Sequence, residues 1–387
     1  MSTYSIRIAR TAADARPLEA AWARLGRDTL DPNVFYEDWQ LLPALEQLVP
    51  GNDAAVEVAF IFRQGSNDAA PELCGVVPLE RREQYRGRAM RTLRLWQHSY
   101  CYLCTPLVSR TDPLGVVGFF LDWLGGEQAD CRLMEFNTIG GDGAFAGVLA
   151  EALASRRRPV WETGRHERAL LKPQPDMQAF MDQIMSDKKK KELRRLERRL
   201  AELGAMSFES IGPASDLDAW LKEFLDLENS GWKREEASAL AAKEHTRRYF
   251  ETIVRAAHGR GQLEMHALRL DGRAIAMKCN FTSREGAYAF KISFDEAYAK
   301  YSPGVLLEIH NIERAHQQTR LEWMDSCAAP DHPMIDHLWP QSRIILSRTV
   351  ATGRWLSNSL ISTLALVQAA KRRVNGQVSR YRERQAS

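Results

Sequence analysis

Four side chains of this 387-residue sequence are placed to exchange a proton with a substrate: Glu228, Asp295, Asp325 and His332. Beside them in the chain stands Lys300-Tyr301-Ser302-Pro303-Gly304, which reads as the polar loop that opens a helix. A cation, a hydroxyl and the bare amides of Gly304 and Val305 at a helix start suit a phosphate group. Asp325 closes an apolar stretch, where partial burial is expected to raise its pKa toward that of a useful base. His332 titrates near neutrality by type, although Asp331-His332-Pro333 also has the make-up of a turn. Glu228 suits substrate binding or catalysis, or a structural contact to Lys233. Trp232 suits stacking on a sugar or adenine ring, or core packing. Lys291 suits a phosphate, an acidic substrate or a surface salt bridge. Asp295, just ahead of the loop, completes the substrate-facing set. His332, Asp336 and His337 lack the spacing of a helical metal pair, and no metal is expected.

The stretch from Tyr288 to Asp325 must position these groups. It reads as a strand, the loop, a helix of about four turns and a second strand. Upstream, the periodicity predicts strands over Leu263–Leu270, Ala274–Phe281 and Ala287–Phe294, with Asp271-Gly272 as the hairpin turn between the first two. Helices are expected over Asp216–Glu228 and Thr246–His258. Ser186 caps a helix that ends at Gly204, with Leu193, Leu196, Leu200 and Leu203 on one face. Its other faces are basic: Lys188–Lys191, Arg194, Arg195, Arg198 and Arg199.

The first part of the chain follows a similar order. Residues 11–30 and Glu37–Leu48 read as helices, Ala55–Phe62 and Leu73–Arg82 as paired strands. Further strands are expected at Arg91–Trp96, Arg132–Asn137 and Val160–Thr163, and helices at Gly115–Leu124 and Phe145–Ala154. The order of elements in the two parts matches although the residues do not, which predicts two copies of one mixed α/β unit. The Ser-Pro-Gly loop is found only in the second copy, so a single active site is expected there. Pro173 and Pro175 mark the border, giving expected domains 1–175 and 176–350. Residues 351–387 add an amphipathic helix with Leu356, Leu360, Leu364 and Val367 on one face, and then Lys371, Arg372 and Arg373. That helix suits docking on the protein or attachment to a membrane surface.

The bulk properties narrow the function. With 53 Lys and Arg against 50 Asp and Glu, the net charge is +3, so no global field favours nucleic acid or membrane. The N-terminus lacks the apolar core of a secretory signal, and no run reaches the roughly 18 apolar residues of a spanning helix. A cytoplasmic protein is expected, with its six cysteines reduced, and Cys101 and Cys104 read as buried thiols rather than a zinc pair.

Leu227-Glu228 with Gly231-Trp232-Lys233, then Phe290-Lys291, Phe294-Asp295, Tyr298, Tyr301-Ser302-Pro303-Gly304 and Asp325 together resemble the domain of cellulose-biosynthesis-type acetyltransferases, relatives of the GNAT fold that often occur in tandem. The resemblance covers about residues 180–350 by motif and the rest by architecture alone. It implies an α/β (α+β) fold of tandem GNAT-like domains, each a mixed, mostly antiparallel sheet flanked by helices. It also implies transfer of an acyl group from acetyl-CoA to an amine or hydroxyl of a polysaccharide precursor. Lys300, Tyr301, Ser302, Gly304 and Val305 would then hold the donor, and backbone amides around Phe290–Phe294 would meet the thioester oxygen. The chain is similar as well to Fem-type peptidyltransferases, which take an amino acid from tRNA. For that reading the basic helix would meet an RNA backbone, while a nucleotide phosphate, a polyanionic glycan or a solvated face balanced by Asp187, Glu192, Glu197 and Glu202 accounts for its charge as well. A third reading is an accessory protein that binds a polyanion without catalysis.

Overall fold

The computed structural model describes residues 3–49, 55–65, 70–230, 240, 243–353, 357–364 and 366. Trp232 and Lys233, singled out for the site, lie outside the described residues, as do Leu356, Val367 and the basic tail at 371–373.

Thirteen strands of the described chain form one continuous sheet. Its first half begins with β1 (Tyr4–Ala9), β2 (Val56–Arg63), β3 (Glu72–Tyr85) and β4 (Arg88–Leu95), each antiparallel to the one before. A short β5 (Leu107–Val108) adds to β3, and β4 then pairs in parallel with β6 (Leu133–Gly140). The second half repeats this. Here β8 (Met206–Ser210), β9 (Leu263–Leu270), β10 (Arg273–Ser283) and β11 (Gly286–Phe294) run antiparallel, and β11 pairs in parallel with β12 (Trp323–Asp325).

Two long strands join the halves by changing sides. β7 (Val160–Leu171) comes from the first half but pairs with β12, while β13 (Gln341–Ala351), at the end of the second, pairs with β6. The two also pair with each other over ten residues, from Gln341↔Leu170 to Val350↔Val160. Strand pairing therefore crosses residue 175, and neither half completes its sheet without a strand of the other.

Helices cover both faces, as the nearly unbroken burial along β2 and β10 requires. In chain order they are α1 (Ala12–Ala15), α2 (Glu19–Arg27), α3 (Asp38–Gln47), α4 (Pro113–Gly125), α5 (Ala144–Ser155), α6 (Met177–Ile184), α7 (Asp187–Ala201), α8 (Leu217–Ser230), α9 (Glu244–Gly259), α10 (Pro303–His316) and α11 (Ile335–Leu338). The expected α/β class, a mixed sheet flanked by helices in two repeating units, is the observed one.

Several expectations are corrected. The helix read over residues 11–30 is broken by a 3-10 turn at Arg16–Leu18, where Pro17 has no N–H for a continuous helix. No strand was expected over β1, and β7, expected over Val160–Thr163, runs to Leu171. The C-terminal helix is helical over 357–364, with Ile361 buried in a small cluster with Tyr85, Leu133 and Ala351. All six cysteines are buried thiols, Cys101 and Cys104 with their sulfurs 3.9 Å apart.

The halves share one core. Phe35 meets Tyr288 edge to face at 5.4 Å between ring centroids, and Trp39 meets Phe281 at 5.3 Å. Burying an aromatic side chain of this size contributes about 2–3 kcal/mol, so these contacts hold the second half's sheet against α3 and the turn before it. Glu37 adds a polar tie, accepting from Ser283 Oγ, Trp39 Nε1 and Gln262 Nε2.

Candidate functional site

The site grows from an irregularity in β11. Lys291 stands opposite Cys279 and Ala289 opposite Asn280, so Phe290 is an extra residue in the ladder, a β-bulge. A bulge breaks the alternation of side chains between faces. Phe290 and the neighbouring Lys291 consequently reach the same group of rings. Phe290 lies 5.8 Å from Tyr102 and 6.1 Å from Phe250, and Lys291 Nζ lies 5.5 Å from the centre of Tyr100. Tyr100 and Tyr102 come from the first half, so the site is walled by both.

Beside the bulge the sheet opens. The parallel pairing of β11 with β12 runs only from Gly286↔Trp323 to Tyr288↔Asp325. β12 then ends, and the chain turns out through Cys327, whose φ is +54°. β11 continues to Phe294, paired with β10 on its other side. This leaves a notch in the sheet bordered by the backbone edge of β11.

Two residues chosen separately from the sequence meet at the notch. Lys291 Nζ donates to Glu228 Oε1 at 2.6 Å, and the Leu240 N–H donates to Glu228 Oε2 at 2.9 Å. Glu228 is fully buried and Lys291 nearly so. The contact offered for Glu228 by sequence proximity was Lys233, which lies outside the described residues; in the fold the bulge presents Lys291. Burial pushes the Tyr100 phenol up, against a hydrogen bond with Thr246, and the Glu228 charge adds to the rise. Tyr100 was not among the expected site residues. The alternation of His98, Tyr100 and Tyr102 was the available signal, but nothing local shows which strand it covers.

At the far end of β11, Asp295 caps a 3-10 turn over Glu296–Tyr301 by accepting from the Ala297 N–H, and its other oxygen takes a 2.6 Å bond from Arg273. It is thus held in a cap and an ion pair. Ser302 follows in the left-handed region (φ 53°, ψ 49°), and Pro303 begins α10. The Val305 and Leu306 amides turn to the Ser302 carbonyl, and proline has no N–H. An anion at this start would therefore meet the Gly304 amide, the Ser302 hydroxyl, which makes no capping bond, and exposed Lys300, whose Nζ stands 5.1 Å from the Tyr301 ring. Tyr301 itself is buried. A Cβ on Gly304 would lie 3.5 Å from Phe294, an ordinary contact, so crowding alone does not demand glycine. The set fits one phosphate group of an acyl carrier, with fewer amides than a glycine-rich cradle.

The first half has a counterpart that its residues disguise. Asp112 also lies in the left-handed region (φ 58°, ψ 54°), Pro113 also begins a helix, and the helix again leads into the strand that joins its unit in parallel. Here, however, the Asp112 carboxylate takes the Gly115 N–H at 3.0 Å and the Tyr4 hydroxyl at 2.6 Å. The chain's own anion fills the place a phosphate would take. The Ser-Pro-Gly sequence belongs to the second half alone, but its backbone conformation occurs twice, and only the second lacks a capping carboxylate.

Asp325 stands at the apex of the notch, and its surroundings differ from expectation. Arg343 Nη1 donates to it at 2.9 Å, Arg168 approaches at 3.4 Å, and the Cys327 N–H donates at 2.8 Å. Burial pushes this carboxyl up, but the Arg168 and Arg343 guanidiniums outweigh it and hold the pKa below the ordinary value. The rise expected from burial alone does not occur, because β7 and β13 deliver two cations to it. Arg168 also donates to the Tyr102 carbonyl at 2.9 Å, which ties this cluster to the wall of the site. His332 lies apart, its Nδ1 accepting from the Met334 and Ile335 amides at the start of α11, the turn-forming alternative. Among the described residues no group of three or more His, Cys, Asp or Glu could hold a metal ion.

Beneath α10, Lys278 Nζ donates to Glu308 at 2.6 Å, both fully buried, and Trp339 Nε1 and Asn311 Nδ2 donate to the other Glu308 oxygen. This network pins the helix that starts at the open loop onto β10. Sequence reasoning missed it, since Lys278 and Glu308 stand 30 residues apart in apolar stretches.

Residues 187–332, from the basic helix to His332, match the model of the acetyltransferase (GNAT) domain. Among solved structures, the crystal structure of FemX superposes with a TM-score of 0.54 at 9% identity, over 86% of this chain and 95% of that one. A tandem GNAT protein from the clavulanic acid biosynthesis pathway, at 16% identity, covers 90% of this chain and 99% of its own with a TM-score of 0.42. No curated protein matches the sequence. The chain has a GNAT-like fold, and the part of it that matches the GNAT domain model lies in the second half.

Proposed function

We propose that this protein is an acyltransferase whose second half performs the transfer and whose first half walls the cleft. The observation that supports it is the notch beside the Phe290 bulge, with the open helix start at one end and the Glu228–Lys291 pair facing it. An exposed strand edge offers amides to the oxygen of an acyl group, where charge develops during transfer. The first reading of the donor is acetyl-CoA, and of the acceptor an amine or hydroxyl on a polysaccharide precursor, as the resemblance to cellulose-biosynthesis-type enzymes implies. Lys300, Ser302 and Gly304 would hold a donor phosphate. The thioester supplies an activated acyl group, so no covalent enzyme intermediate is needed.

In this reading Glu228 accepts the proton that the acceptor loses as it bonds to the acyl carbon, and as the C–S bond breaks the departing thiolate takes a proton back through the same pair. Glu228 is buried, so Lys291 relays: its ammonium passes one hydrogen to the carboxylate and takes one from the acceptor. Tyr100 and Tyr102 exclude water above the pair. Asp325, gripped by Arg168 and Arg343, keeps β12, β7 and β13 together at the apex of the notch.

A second donor, an aminoacyl-tRNA, is favoured by one observation. Lys188, Lys191, Arg194, Arg195, Arg198 and Arg199 on α7 are exposed and make no ion pair among the described residues, whereas Lys189 and Lys190 do. Calorimetry on the full chain with acetyl-CoA and with a charged tRNA separates the readings. Acetyl-CoA binding that Ser302→Asp abolishes supports the first, and binding of tRNA alone supports the second. Binding of neither leaves the chain as an accessory polyanion binder and sinks the transferase reading.

A further inference from the structure

A separate cavity of about 260 Å³ lies between α6, α7 and the side of α10. Met181, Met185, Leu193, Phe208, Leu306 and Ile309 form its apolar walls, and Gln178 and Lys190, the latter paired with Asp182, also line it. Pockets for drug-sized ligands start near 300 Å³, so the space suits a smaller molecule. Around the apolar interior stand charges of both signs. Arg194, Glu197 and Glu313 line the cavity, and none of the three makes an ion pair or side-chain hydrogen bond among the described residues. Arg194 and Glu197 are one turn apart on α7 yet do not approach within ion-pair distance. Burial and then the Glu197 charge push the Glu313 carboxyl up, as two carboxylates around a shared space should. At the inner end His310 stacks on Phe208 at 4.9 Å, and its Nε2 is buried without a partner.

Arg194 and Glu313 reach solvent at the cavity's edge and Glu197 is partly buried, so all three stand free to pair with a bound ligand. One ligand class answers the free charges of both signs and the apolar interior together. A carboxylate would meet Arg194, an ammonium would meet Glu197 and Glu313, and an apolar side chain would fill the space between Met181, Leu193 and Leu306. We propose that this cavity binds a zwitterionic α-amino acid with an apolar side chain, at a site distinct from the notch. A fatty acid would leave the two carboxylates unpaired and repelled. An alkylamine would leave Arg194 alone. Leu306 lies one turn beyond Ser302, so occupancy braces the helix that starts at the open loop.

Calorimetry on the full chain, with no acyl donor or acceptor present, tests this apart from the transferase reading. L-leucine and L-methionine are expected to bind, and hexanoate and pentylamine at least tenfold more weakly. Glu197→Gln with Glu313→Gln should weaken the amino acids tenfold or more and leave hexanoate no weaker, and Arg194→Gln should weaken both the amino acids and hexanoate while sparing pentylamine. These substitutions lie at the cavity's polar edge, and circular dichroism confirms the fold of each variant. The proposal is overturned if the amino acids do not bind, if hexanoate or pentylamine binds equally well, or if the charge variants in folded form bind as the parent does.

Discussion

Lys291 and Glu228, 63 residues apart in sequence, form a buried ion pair with 2.6 Å between Nζ and Oε1, and the bulge at Phe290 is what turns Lys291 toward its partner. An ordinary strand would place successive side chains on opposite faces. The same slip in the ladder therefore sets both the aromatic wall and the charge beside it.

Breaking this pair from one side should be costly. Glu228→Gln leaves the Lys291 ammonium without its anion, and loss of one partner from a buried pair costs about 3–5 kcal/mol. Urea denaturation should show that loss, with Glu228→Leu combined with Lys291→Met recovering much of the stability and none of the transfer. A double variant that still transfers acyl groups at the parent rate would remove the pair from the chemistry.

Asp325→Asn addresses stability rather than proton transfer. Its carboxylate balances Arg168 and Arg343, so the variant should lose about 3–5 kcal/mol and the acid limb of the stability profile should flatten. The sign follows from the lowered pKa. Between the folded value and the ordinary 3.8, the unfolded chain binds more protons than the folded one, so stability rises with pH. The contribution is complete above the unfolded value and disappears as pH falls through the folded one. An unchanged acid limb in the variant would contradict the clamp.

The paired helix starts make opposite predictions. Ser302→Asp reproduces in the second half the arrangement of Asp112, and the carboxylate should repel the donor's phosphate and abolish its binding. Asp112→Ala removes a cap, at about 0.5–2 kcal/mol, and should leave donor binding as it was. Equal loss of donor affinity in both variants would mean that the first half holds the donor too. At Gly304, alanine should be tolerated because its Cβ would sit 3.5 Å from Phe294, whereas tryptophan should block the loop.

For the tRNA donor, the exposed cations of α7 are the test. Replacing Lys191, Arg195 and Arg198 with glutamine should weaken tRNA binding across sequences and lower the slope of log K against log salt by about 2, at roughly 0.7 per phosphate contact. Acetyl-CoA affinity should not change. A salt slope unmoved by the triple substitution would place the RNA elsewhere.

Much of the fold was legible because its signals are local. Leu193, Leu196 and Leu200 recur at helical spacing, and all three are buried along α7. Asp271 and Gly272, with φ of 49° and 78°, make the tight turn that their types predict between β9 and β10. The repeat of strand and helix order was legible too, although Asp112-Pro113 was not matched to Ser302-Pro303. The two share a backbone conformation rather than a residue, and conformation is what repeats.

The sequence by itself determined where many of the helices and hairpin strands lie, which faces are apolar, and which loop before a helix to examine for an anion site, because capping, periodicity and turn chemistry act within a few residues. Only the tertiary structure decided what the charged residues do. Gly164-Arg165-His166-Glu167-Arg168 has the composition of a loop, yet it is the middle of a central strand, since Asp325 lies 157 residues away to receive Arg168. Asp325 became a gripped carboxylate, and Glu228 found Lys291, for the same reason. A buried charge is settled by whichever opposite charge the fold brings within hydrogen-bond distance, and here the exchange of β7 and β13 and the slip at Phe290 bring those partners from outside any local window.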